Sequence, residues 1–508
     1  MGVIIRQSIK GTFVNYIGAI IGAFTTLFVT TVLLTESEIG LTRTLVAAGE
    51  LFAGLAQLGT NSSIIRYYPF FKDGQRKDHG FFFWTLLVPF IGCCLYSIVF
   101  LVFKEELCAF FEAKSPMLVD FYYFTFPLGF FLLYTAVFES NANVLMRIVV
   151  PKFFREVGLR VLQLGGYVLY ALHIVDFKGF VIIFCCTYGC VTLLDFCYLI
   201  SLKKISFKPD FAHITQKLRN SYLKYTAFVS THAIVNNLAP TISTFLLGVK
   251  VGLASTGIYT IALYIARVIE MPYRSLGAIS APLISQSMKD GDMTETNRLG
   301  KEVSLHQFMI ASMLFLLLFA NIDLIYRILP NGETFVLGRN ACLILGLHFT
   351  IATTLSIGFS VLGYSRYYYM FLCFSLILTL SGFWLNNELI PLYDTSGSAA
   401  ATLLSNLLYF TLLSLFIGWK LKFCALSWRH AKVLGVMLLL AALHKLYAAG
   451  MQAAGAGLDT LPVGVALDEA VVRSALLTAA AVFACYRMHI SEQANQLLRK
   501  LWQTLTRR

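Results

Sequence analysis

Residues 35–69 read TESEIGLTRTLVAAGELFAGLAQLGTNSSIIRYYP, and their reading decides what kind of chain this is. A short polar turn leads into Gly40, and then into a long apolar stretch that carries Arg43, Glu50, Gln57 and Asn61. Those four are spaced by seven, seven and four positions. At 100° per residue they fall within about 40° of one another on a helix. A second stretch, VKVGLASTGIYTIALYIARVIEMPYRSLGAISAPL at 249–283, repeats the plan: a turn, then Gly257, then a long helix carrying Arg267, Glu270 and Arg274. Aligning Gly40 with Gly257 sets an offset of 217 residues.

The solvent for such helices follows from composition. Of 508 residues, 57% are hydrophobic and 13% charged, and the mean hydropathy is +0.72. Soluble proteins average about 25% charged residues. Phenylalanine (43) outnumbers the acidic residues (27), so polar surface is too scarce to wrap the chain, and a bilayer is expected around it. The run 11–34 is about 24 residues long, enough to span and too long for the h-region of a signal peptide. It is read as an uncleaved first span.

Continuing along the chain gives an all-α integral membrane protein with fourteen expected transmembrane helices: 11–34, 41–65, 81–103, 118–140, 155–173, 179–202, 222–248, 257–284, 303–325, 340–362, 367–387, 397–418, 431–449 and 470–487. The domains are an N-terminal lobe over 1–202, a cytoplasmic linker over 203–221, a C-terminal lobe over 222–418, an appended helix pair over 431–487, and an amphipathic cytoplasmic tail over 488–508. Six spans separate the two repeated stretches, so the lobes form a parallel repeat about a pseudo-two-fold along the membrane normal. With both termini in the cytoplasm, inner loops and termini hold 28 Lys and Arg, outer loops 7, and helices 5. That asymmetry orients the chain. It also accounts for the net charge of +13 through an anionic leaflet, with no nucleic-acid partner. The eleven cysteines include no CxxC pair and mostly sit in apolar runs, so neither a disulfide nor a metal site is expected.

Charge at membrane depth costs at least ~2.5–3.5 kcal/mol per residue. Arg267, Glu270 and Arg274 therefore need either ion-pair partners or water. One reading is a structural lock within the helix or across to Glu50. The other is a hydrated chamber with a cationic lining, favoured because arginines outnumber acids and the amides Gln57 and Asn61 extend the stripe. A cationic chamber selects anionic cargo, and the planar guanidinium fork suits phosphate or pyrophosphate. Pro272 is expected to bend its helix. Arg160 and Arg473 are further substrate-binding candidates. Glu50, Glu270 and Asp195 are candidates for binding a coupling ion, H+ or Na+, with no other cofactor expected. Glu139 is read as an interfacial helix-end residue, and His306 and His348 as packing residues. Asn15, Asn236 and Asn237 sit in the first span of each lobe, either bonding across helices or touching sugar hydroxyls.

The opening 80 residues also carry a resemblance. The stretch IIRQSIKG…SIIRYYPFF (4–71), with EIG at 38–40 and a helix ending in Gln57, Gly59 and SIIRYYP at 63–69, resembles the start of bacterial polysaccharide flippases. This is the lipopolysaccharide O-antigen flippase family of the multidrug/oligosaccharidyl-lipid/polysaccharide exporter superfamily. The resemblance implies two six-helix lobes around a central cavity, rocking alternating access, and a polyprenyl-pyrophosphate-linked oligosaccharide as cargo. It places the cavity arginines at Arg43, Arg267 and Arg274. It also implies a home in the cell inner membrane, with membrane lipids and other polysaccharide assembly proteins as partners. Two alternatives stand beside it. A cation-coupled drug exporter of the same superfamily would want an acid-dominated or aromatic pocket. A multi-span polysaccharide polymerase or ligase would want a sizeable outer loop, and the outer loops here are short. The chain is thus expected to be no enzyme.

Overall fold

A computed structural model describes residues 2–73, 77–203, 205–210, 215–453 and 462–496. The side chains of Arg274, Asn236 and Asn237 lie outside the described residues, as does the tail over 497–508. Fifteen helices carry the fold: α1 Gly2–Phe24, α2 Glu36–Ala56, α3 Thr60–Phe71, α4 Phe81–Val102, α5 Thr125–Val144, α6 Leu159–Ala171, α7 Phe177–Ser201, α8 Gln216–Lys250, α9 Leu253–Ala266, α10 Met271–Lys289, α11 Met293–Ile328, α12 Arg339–Leu355, α13 Met370–Leu421, α14 Trp428–Ala453 and α15 Val463–Arg487. Among the described residues there is no strand, and nine helical stretches are long and apolar enough to cross a membrane. The chain is a multi-pass membrane protein. Phe90, Ile91, Leu95, Ile98, Leu101 and Val102 of α4 are exposed. So are Leu434, Leu438, Leu439, Leu443 and Leu446 of α14. Water tolerates no such contiguous apolar faces, whereas lipid does.

Several segments differ from the sequence reading for local backbone reasons. The stretch 41–65 is two helices, because Leu58 and Gly59 both take positive φ (45° and 68°) and end α2. A Cβ on Gly59 would sit 3.0 Å from the Ser230 amide nitrogen and the Thr226 carbonyl, so the break is shaped to receive α8. The stretch 257–284 is also divided. Residues Arg267–Glu270 form a single 3₁₀ turn between α9 and α10, because Pro272 has no N–H to give the carbonyl four residues before it. The segments 367–387 and 397–418 run together as α13, whose halves turn sharply at Asp394 (φ 51°, ψ −128°). The helix read as 155–173 begins at Val149 and passes through a wide turn at Phe154–Gly158. A second wide turn, Thr25–Val29, interrupts the first span. There the hydroxyls of Thr25, Thr30 and Thr31 donate to the carbonyls of Ile21, Thr25 and Leu27.

The chain forms two compact units, residues 1–261 with 375–398, and residues 262–374 with 399–508. In the first, the start of α2 is fixed by a capping box: the Thr35 hydroxyl accepts from the Glu38 N–H (3.3 Å), and the Thr35 N–H donates to Glu38 Oε2 (2.8 Å). Thr35→Ala is expected to cost about 1 kcal/mol, seen as a small drop in thermal midpoint with the fold retained. α3 zips onto α8 through Ser63–Thr226 (2.9 Å) and Tyr67–Ser221 (3.0 Å). His79 lies between Asp210 (2.8 Å) and Asp73 (3.2 Å), tying the linker to the loop before α4. The core is aromatic, with Phe52, Tyr134 and Phe138 buried against Phe100, Phe126 and Phe196. In the second unit Leu305 and Leu316 of α11 pack on Val433 and Met437 of α14 and on Leu477 and Ala481 of α15.

One contact in the first unit joins the two stretches that the sequence aligned. A Cβ on Gly40 would overlap the carbonyl of Leu253, and a Cβ on Gly257 would overlap the carbonyl of Glu36. The two glycines are 217 residues apart, and so are Glu36 and Leu253, so each helix presents to the other its glycine and the carbonyl one turn before it.

Candidate functional site

In the first unit, α2 carries the polar face. Arg43 is half-buried and donates from Nη2 to Thr26 Oγ1 (3.3 Å), on the wide turn of the first span. Wide turns recur at functional positions because they leave backbone carbonyls short of partners. Glu50, two turns on, is exposed. Gln57 is buried at the end of α2 and Asn61 stands on α3, so the stripe read as one helical face crosses a break. The two amides nevertheless meet: Asn61 Nδ2 donates to Gln57 Oε1 (3.1 Å), and Gln57 Nε2 donates to the Gly54 carbonyl (3.2 Å). Positive φ at Leu58 and Gly59 turns the chain but keeps both side chains together.

The remaining arginine candidates separate by how fully they are engaged. Arg160 lies over Gly18 and Gly22 of α1, where any Cβ would strike its guanidinium. Its Nη1 donates to the Glu156 carbonyl (3.0 Å), and Nη2 is 3.5 Å from the Glu156 carboxylate. Arg473 is 7% exposed. Its Nη2 donates to the Ala320 carbonyl (3.1 Å) and to Asn321 Oδ1 (2.9 Å), with Glu469 3.9 Å from Nη1. Asn321 in turn donates to Ser474 Oγ (3.0 Å). Arg473 therefore fastens α15 to α11. Arg267 is different. Its side chain is 47% exposed, and its one ionic neighbour among the described residues is Glu270, at 3.9 Å. In a 3₁₀ turn positions i and i+3 eclipse, which stacks the two side chains. At 3.9 Å the pair is long for a charge-assisted hydrogen bond, so the guanidinium keeps donors to offer. The field of Arg267 also reaches His348 on α12, a neighbour that spacing within one helix does not reveal.

Asp195 on α7 is fully buried, and neither carboxylate oxygen has a hydrogen-bond partner. Glu139 on α5, read from sequence as an interfacial residue, accepts from Arg155 Nη1 (2.6 Å) while its second oxygen is buried and unpartnered. The signal for this pairing is the one-turn spacing Thr135–Glu139 and Thr192–Asp195 on two neighbouring helices. It becomes legible only when the helices are known to pack. Among the described residues no group of three or more His, Cys, Asp or Glu is arranged to hold a metal ion.

No family model and no curated protein matches the chain in sequence. The fold, however, is one that membrane transporters of the multidrug/oligosaccharidyl-lipid/polysaccharide exporter superfamily share. Among solved structures the chain is similar to the lipid II flippase MurJ in its inward closed conformation, with TM-score 0.72 and 14% identity over 95% of this chain and 100% of that one. It is also similar to an inward-facing multidrug resistance transporter of the MATE family (TM-score 0.58, 13% identity, 81% and 99% covered). A point mutant of the Vibrio cholerae MATE transporter VcmN is a third (TM-score 0.57, 12% identity, 82% and 97% covered).

Proposed function

We propose that this chain is a flippase, not an enzyme, that moves a polyprenyl-pyrophosphate-linked oligosaccharide across the cytoplasmic membrane by alternating access, in the assembly of a cell-surface polysaccharide. The observation that carries the reading is the state of Arg267. A guanidinium within an apolar helical stretch, half exposed and with Glu270 at 3.9 Å as its one ionic neighbour among the described residues, has donors left for an anion. Arg160 and Arg473, by contrast, are engaged with carbonyls and carboxylates of their own unit. Arg43, half-buried on the polar face of α2, is the corresponding donor in the first unit. An arginine fork binds a diphosphate through two parallel N–H···O bonds, which an ammonium cannot reproduce. The likeness in fold to a flippase of a lipid-linked substrate, along the whole length of that structure, supports the same reading. The apolar faces of α4 and α14 leave the polyprenyl tail in lipid while the headgroup crosses.

The test is flipping of a polyprenyl-pyrophosphate oligosaccharide in proteoliposomes. Arg267→Ala is expected to lower the rate about tenfold to a hundredfold, the loss of a hydrogen bond to a charged group worth ~1.5–3 kcal/mol. Arg267→Lys should recover only part of it. An Arg267→Ala protein that flips at the wild-type rate would remove the pyrophosphate site.

A further inference from the structure

At one end of the first unit, α3, α4 and α8 enclose an apolar cavity of about 260 Å³. Tyr67 and Phe71 of α3, Phe81 and Trp84 of α4, and Tyr222 and Leu223 of α8 form most of its wall. The rings brace one another, Tyr67 on Tyr222 (centroids 5.2 Å) and Phe71 on Phe81 (4.8 Å), which holds the space open. The Tyr67 hydroxyl is bonded to Ser221 (3.0 Å), so its ring is what faces the cavity. Leu223 is 58% exposed, and Phe90 and Ile91 further along α4 are exposed too, so the cavity borders the lipid-facing surface. Among the described residues Arg219 is the one charged residue that lines it. Arg219 is exposed, so its stem lies along the apolar wall while its head reaches the surface. The charge nearby has one sign. Residues 60–72 and 216–224 hold Arg66, Lys72, Lys217, Arg219 and Lys224, and no acid. The Arg66 guanidinium lies 4.1 Å from the Tyr225 ring centroid and 5.9 Å from that of Tyr67, which sets a second fork beside the wall. The acids that flank these stretches are engaged elsewhere, Asp73 and Asp210 with His79, and Asp78 with the Tyr68 hydroxyl (3.0 Å).

An apolar cavity of about 150 Å³ already binds benzene. A larger one that borders lipid can take a length of hydrocarbon chain. A guanidinium binds a phosphate through paired N–H···O bonds, and clustered Lys and Arg attract anionic headgroups. We propose that this cavity is a binding site for an anionic phospholipid, with one acyl chain between the rings and the phosphate on Arg219. Chain and phosphate are common to all phospholipids, so discrimination comes from the rest of the headgroup. A zwitterionic lipid brings its own cation into a neighbourhood that already carries five. The α8 helix begins here, at Gln216, with no acid in its first turn, and the positive end of its dipole favours the anionic headgroup further. The bound lipid fastens α3 and α4 to the start of α8. The site lies wholly within the first unit, uses neither Arg43 nor Arg267, and does not depend on what the cargo is.

Trp84 reports on the site once the other four tryptophans are replaced, by Trp384→Phe, Trp419→Phe, Trp428→Phe and Trp502→Phe. The full chain in phosphatidylcholine nanodiscs is given phosphatidylglycerol brominated on its acyl chains, a contact quencher, or phosphatidylcholine brominated in the same way. Trp84 emission should fall to a plateau at a several-fold lower fraction of the anionic lipid. Arg219→Gln should raise the half-quenching fraction of that lipid about tenfold, the loss of a hydrogen bond to a charged group, and leave the zwitterionic titration unchanged. Val88→Phe, which fills the cavity from α4, should abolish the preference with every basic residue in place. Should the single-tryptophan protein fail to fold, the thermal midpoint of the unmodified chain carries the comparison. Phosphatidylglycerol should raise it above the phosphatidylcholine value by mass action, and Arg219→Gln and Val88→Phe should each remove the difference. Equal quenching by the two lipids, or a preference untouched by both substitutions, overturns the site. Displacement of the brominated phospholipid by an equimolar polyprenyl phosphate would give the cavity to an isoprenoid tail and overturn the phospholipid assignment. No flipping is measured, so failure here leaves the flippase reading standing, and unchanged flipping by Arg267→Ala would leave this site standing.

Discussion

Gly40→Val is expected to break the fold of the first unit, and Gly257→Val to do the same to a similar extent. Each glycine lies against a backbone carbonyl of the other's helix, Gly40 against Leu253 and Gly257 against Glu36, so there is no flexible side chain to move aside. Alanine separates the two opposing effects. In an open helix Gly→Ala gains about 0.5–1 kcal/mol, because glycine loses more backbone freedom on folding. Inserting carbon into a filled site costs about 1–3 kcal/mol. Here the inserted atom overlaps a carbonyl, so the cost falls at the upper end and wins. Gly40→Ala and Gly257→Ala should each be destabilised by about 1–2 kcal/mol net. Gly435, with nothing within 4 Å of an added Cβ, is the control: Gly435→Ala should be neutral or stabilising. The two crossings share one interface, so the double alanine variant should lose less than the sum of the singles, since the first substitution already parts the helices. Thermal melts in detergent read all four proteins. A Gly40→Ala protein as stable as wild type would show that the helices do not cross there.

The second large effect is expected at Arg473. Arg473→Ala removes the ionic contact of Glu469, which keeps only the Tyr447 hydroxyl (3.4 Å) among the described contacts, takes the Arg473 hydrogen bonds from the Ala320 carbonyl and Asn321, and leaves an empty space beside these partly buried groups. Removing one member of a buried, hydrogen-bonded charge group costs about 3–5 kcal/mol. The melt should fall accordingly. Glu469→Gln should cost much less, because the ionic contact at 3.9 Å is the longest of the three and the two bonds to α11 survive it. The contrast with Arg267 is the sharper outcome. Arg267→Ala should leave the melt within about 0.5 kcal/mol of wild type, as an exposed substitution does, while slowing flipping about tenfold to a hundredfold. If Arg473→Ala melts normally, α15 is held by its apolar face alone: Leu477 and Ala481 against α11 and α14.

Membrane class, helical content and the alignment of two distant glycines were all legible in the sequence, because each rests on a property that single residues carry. Hydropathy along a stretch sets the solvent, and a glycine in an otherwise bulky helix marks a close approach. The tertiary structure decided the fate of the charged residues. Arg160, Arg267 and Arg473 are each an arginine in a greasy helix, and the sequence set Arg267 apart by its neighbours Glu270 and Arg274 without deciding between an ion-pair lock and a binding site. What separates them is what other helices bring to each: Gly18 and Gly22 against Arg160, Asn321 and Ala320 as acceptors for Arg473, and, among the described residues, no ionic partner for Arg267 beyond Glu270 of its own turn. Glu139 and Asp195 lie 56 positions apart in the chain. Only the packing of α5 on α7, fixed by Thr135, Thr192, Phe138 and Phe196, makes them neighbours. The physical reason is that hydrophobic burial is a sum over local pattern, whereas the cost of a buried charge depends on the position of its counter-charge to within an ångström or two. No one-dimensional spacing encodes a distance between helices.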